Sequence, residues 1–162
     1  MGRPKGSGKA AKVKKVFIED DDLEVMANEV IQEHKMDYLN NVKIKYVLVH
    51  PYISKTVAGK CIKANAELKH WSGAEYVIEF SENVWEALKE DVRKILMLHE
   101  LKHILLTTND KTGEFQYKIL PHDVADFLSI IDKYGVDWIN TIRLTSASLF
   151  DLDADQQDKI KI

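Results

Sequence analysis

The chain has 162 residues, 45% of them apolar and 30% charged, with a formal net charge of −3. That balance describes one folded domain with a core of its own, and excludes a disordered chain or a molecule whose whole surface binds polyanions. One cysteine, Cys61, excludes an internal disulfide and a cysteine-paired structural zinc, and without an apolar run of membrane-spanning length or a signal-peptide stretch a reducing, cytoplasmic setting is expected.

Residues 1–16 carry Arg3, Lys5, Lys9, Lys12, Lys14 and Lys15 and no acid, interleaved with Gly2, Gly6 and Gly8. Such a segment cannot build a core and is expected to be a disordered basic tail. Gly2-Arg3-Pro4 resembles the centre of an AT-hook, an arm that enters the DNA minor groove, and Arg3, Lys5 and Lys9 suit phosphates. DNA is therefore one expected partner; a merely solubilising tail is the equal alternative.

Asp20-Asp21-Asp22 favour a helix N-terminus, after which Leu23, Met26, Ala27, Val30, Ile31 and Tyr38 mark one face of a helix ending near Asn40. His34 falls on that stripe as a hydrogen-bonded packing residue. Val42, Ile44, Tyr46 and Leu48 alternate with lysines as a strand stopped by Pro51, and residues 62–68 and 76–80 read as two more strands. His50 and His70 lie at strand ends and read as structural or exposed.

From Asn83 to about Thr107, Val84, Leu88, Val92, Ile95, Leu96, His99 and His103 recur at helical spacing, and Asn83 with Glu86 has the form of a capping box. Residues 107–113 read as loop and 115–119 as an extended segment. Pro121-His122-Asp123 then opens a helix with Val124, Phe127, Leu128 and Ile131 on its buried face, ending near Gly135. The acidic stretch 146–162 reads as a frayed tail. The expected architecture is α+β: a domain over 17–145, with a small three-stranded sheet packed on the long helix and flanking helices.

Within that helix lies His99-Glu100-Leu101-Lys102-His103, an H-E-x-x-H motif. Residues four apart share a helix face, so both imidazoles can reach one metal ion, with Glu100 beside them as general base. Two buried histidines need partners, and a metal supplies them. A catalytic zinc takes a third protein ligand and leaves one position open. The metzincin continuation is absent, with Leu106 and Asn109 at its glycine and histidine positions. His122, nineteen residues after His103, is the candidate, with Asp126 either ligating instead or orienting a ligating imidazole. Two imidazoles and one further N or O ligand suit Zn2+.

These residues, together with Pro121-His122-Asp123-Val124-Ala125-Asp126-Phe127 and Tyr134-Gly135-Val136-Asp137-Trp138, resemble the putative phage metallopeptidases over roughly residues 17–140. That family is itself similar to the SprT-like zincins. The resemblance implies a minimal zincin fold, one zinc and proteolysis, with a protein or peptide as substrate and, for a phage protein, the host cytoplasm as its location. Two alternatives stand beside this reading: a DNA-associated protein acting on or binding DNA-bound proteins, and a non-catalytic binding protein stabilised by zinc.

Overall fold

A computed structural model describes residues 11–122 and 126–162. Arg3, Lys5 and Lys9, and the Asp123 and Val124 expected to begin a helix, lie outside the described residues.

Strand β1 (Val16–Glu19) leads into helix α1 (Asp21–Glu33), whose N-cap Asp20 accepts from the Asp22 amide at 2.9 Å. The chain then forms β2 (Ile44–His50), β3 (Gly59–Lys63), helix α2 (Ala66–Ser72) and β4 (Tyr76–Ser81). Two helices follow, α3 (Glu82–Ala87) and α4 (Glu90–Lys102), then a hairpin of β5 (Ile104–Thr108) and β6 (Phe115–Ile119). Helices α5 (Leu128–Tyr134), α6 (Asp137–Phe150) and α7 (Ala154–Gln157) complete the domain. Among the described residues, no helix is long and apolar enough to cross a membrane.

The main sheet has four strands in the order β1-β2-β4-β3, not three. β2 and β4 are parallel; β1 and β3 run antiparallel to their neighbours and form the edges. Behind the sheet lies α4, buried without interruption from Leu96 to Leu101. Burying each large apolar side chain there contributes about 2 kcal/mol, which offsets the cost of carrying His99 and Glu100 inside the same turns.

Besides the strand count and the first helix, which ends at Glu33 rather than near Asn40, four expectations are corrected. The stretch 62–68 is strand only to Lys63. Asn65 then caps α2 by accepting from the Leu68 amide at 2.8 Å, and Gly73 ends it at φ 69°. The long helix divides at Leu88, which is extended, and the corner is held by Arg93, whose Nε donates to the Trp85 carbonyl at 2.7 Å. Its first piece starts from Ser81, not from a capping box at Asn83, and its second ends at His103, beyond which Ile104 to Thr108 pair with β6.

The third correction concerns the helix expected at Pro121, which begins only at Leu128. The fourth concerns residues 146–162, which are folded. α6 runs to Phe150, Asp153 and Gln156 form a capping box, and Leu152 and Ile160 are buried. Two apolar anchors outweigh the acidic composition. His34 does pack by hydrogen bonding, its Nε2 lying 3.1 Å from the Tyr134 hydroxyl.

Candidate metal centre

The last turn of α4 places His99 and His103 on one face, four residues apart. His122 reaches them by way of the hairpin. β5 leads outward from His103 and β6 returns in register, so that Leu120 faces His103 and its amide donates to the His103 carbonyl at 2.7 Å. Two residues later, His122 Nε2 lies 2.8 Å from His99 Nε2 and 3.0 Å from His103 Nε2. Asp126 does not join this cluster; its Oδ1 stands 2.6 Å from the other nitrogen of His99, Nδ1, and both side chains are fully buried.

The acceptors around the rings fix their tautomers. Nδ1–H of His99 donates to Asp126, and Nδ1–H of His103 donates to the Leu120 carbonyl at 2.7 Å. Burial holds both imidazoles below their ordinary pKa, although Asp126 and the Leu120 carbonyl pull the other way. Each neutral ring therefore turns a bare Nε2 lone pair toward His122. One proton on His122 Nε2 cannot serve both neighbours at once. A cation at the point where the three nitrogens converge would satisfy them all, so the donor set fits a metal ion. Replacing Asp126 with asparagine keeps the shape and removes the charge behind His99. Metal affinity, read by competition with a chromophoric chelator, is expected to fall about 10–100-fold with the fold intact.

Glu100 lies fully buried beside the cluster, and neither carboxylate oxygen has a hydrogen-bond partner among the described residues. Desolvation pushes its carboxyl up to about 8. It sits in a cleft of about 300 Å³ walled also by Gly59, Cys61, His103, His122 and Ile162. Gly59 is a cradle for this carboxylate: a Cβ there would stand 2.8 Å from Glu100 Oε1 and 3.1 Å from the Phe80 ring. Phe80 is itself fully buried and cannot yield. Gly59→Ala should therefore displace Glu100, costing roughly 1–3 kcal/mol in thermal unfolding and a larger share of any turnover.

The structure thus gathers His99, Glu100, His103, His122 and Asp126 within one site. His50 pairs with Glu82 at 3.0 Å, and His70 packs edge-on against Trp71; neither enters the site. Sequence reasoning missed the Leu120 carbonyl, a main-chain group without a signature. It also missed Gly59, whose role depends on a non-local approach. Phe127, expected on a helix face, is instead the buried ring against which all three imidazoles rest, at centroid distances of 5.1–5.4 Å.

A helix carrying two imidazoles and a carboxylate, backed by a small sheet and completed by a third imidazole from downstream, defines a small zincin-like α+β domain. The chain belongs to the putative phage metallopeptidase family, whose sequence model matches residues 15–146. Membership implies a metal ion, and the three histidines form a group that could hold one. No curated protein and no solved structure matches the chain.

Proposed function

We propose that this protein is a zinc-dependent peptidase in which His99, His103 and His122 hold the metal and Glu100 is the general base. The observation that carries this reading is the convergence of three Nε2 atoms beside a buried carboxylate that has no partner among the described residues. Zinc, when bound, supplies Lewis acidity, making water a nucleophile at neutral pH and polarising the scissile carbonyl. Glu100 accepts the proton of the attacking water and delivers it to the leaving amine. Asp126 fixes the His99 tautomer, and the Leu120 carbonyl does the same for His103.

Protein or peptide substrates fit a cleft that borders a sheet edge, where an extended backbone can add as a further strand. Of the strands nearest the site, β4 is paired on both sides, which leaves β3 at the edge and against the cleft. The test is hydrolysis of fluorescently quenched casein by the purified protein, before and after chelation. Activity should vanish with the metal and return with added zinc. Hydrolysis indifferent to chelation would sink the reading.

A further inference from the structure

The final residues of the chain run into the same cleft. Ile160 is buried, Lys161 is exposed and Ile162 turns back inward, the alternation of a strand. Lys161 bridges Val57 in parallel: its amide donates to the Thr56 carbonyl at 2.6 Å, and the Ala58 amide donates to the Lys161 carbonyl at 3.0 Å. These ladder bonds are made to residues just before β3. Lys161 and Ile162 then line the cleft together with Glu100, His103 and His122, and a main-chain oxygen of Ile162 faces the His99 ring. The side chain of Ile162 packs on the core.

An extended backbone laddered to the sheet margin, an apolar side chain seated on the core and a main-chain oxygen turned to the imidazoles are what a bound peptide would present. We propose that residues 160–162 occupy the substrate cleft as an intramolecular peptide that an incoming peptide must displace. The identity of the cleft rests on the peptidase reading; the occupancy does not. Two ladder bonds and one isoleucine make a weak attachment, but tethering keeps its effective concentration high, so it competes with any peptide in solution. The segment therefore sets a threshold: short or weakly held peptides are excluded, and longer ones able to pair along β3 gain entry.

The experiment uses zinc-loaded full-length protein and a fluorescein-labelled synthetic peptide of residues 156–162, with binding read by anisotropy. Lys161→Pro removes the amide that bonds Thr56, and Ile162→Gly removes the apolar anchor while keeping the backbone. Both variants should bind the peptide about tenfold or more tightly than the wild type. If circular dichroism shows that one variant has lost its fold, the other decides. Equal affinity in variant and wild type, weaker binding by the variant, or undetectable binding to both overturns the proposal. Casein hydrolysis measured on the same samples separates the two ideas. Tighter peptide binding without turnover in any sample keeps the occupancy and removes the peptidase, whereas turnover with unchanged peptide affinity does the reverse.

Discussion

Glu100→Gln is expected to reduce peptide hydrolysis by about a hundredfold to ten-thousandfold while zinc content and fold are retained, because glutamine keeps the shape and cannot take a proton. Elemental mass spectrometry and a progress curve on the same sample read both quantities. A non-catalytic, zinc-stabilised protein would give no turnover to lose, and full activity in the variant would remove Glu100 from the chemistry. A second readout needs no substrate. In metal-free protein the folded carboxyl keeps its proton up to about 8, whereas an unfolded glutamate releases it near 4.5. Between those values the folded state binds the extra proton, so stability falls as pH rises through the window. His99 and His103, held below the ordinary imidazole value of 6.5, work in the opposite sense. The Glu100 contribution is therefore read as a difference: the stability of metal-free wild type relative to Glu100→Gln should fall as pH rises from 4.5 to about 8.

His122→Ala should abolish stable zinc binding, leaving His99 and His103 of the three grouped imidazoles among the described residues. After dialysis, zinc should fall from roughly one per chain to near zero, as in His103→Ala, and added zinc should no longer raise the melting temperature. The stabilising effect of a ligand disappears with its affinity, so the melting shift is an independent check on the metal assay. Zinc retained by His122→Ala would move the third ligand to Asp126 or elsewhere.

What could be read along the chain follows from the range of the forces involved. The motif on α4 was legible because helical periodicity is local, and His122 because few other residues near it have ligand chemistry. The path between them was not. Ile104 to Leu106 is a short apolar run that suits helix or strand equally, and only pairing with Phe115 to Ile119, distant in sequence, decides that Ile104 begins a strand. Residues 62–68 failed for a related reason: alternation suggested strand throughout, while Asn65 carried the stronger local signal as a cap. At the C-terminus, composition outvoted the short alternation of Ile160, Lys161 and Ile162, which is what binds that segment to the domain.

The hairpin between the second and third histidines has one more consequence. Its mouth is closed by His103 and Leu120, and its tip, turning through Asn109 to Glu114, lies at the far end of the ladder. Adding or removing matched pairs of residues along the two strands would lengthen or shorten the arm without shifting its mouth. The interval of nineteen residues is thus set by arm length, and what the site requires is the pairing at the mouth. A search for related proteins built on fixed intervals would pass over cousins with longer or shorter arms. One that asks for a closing pair followed two residues later by a histidine would find them.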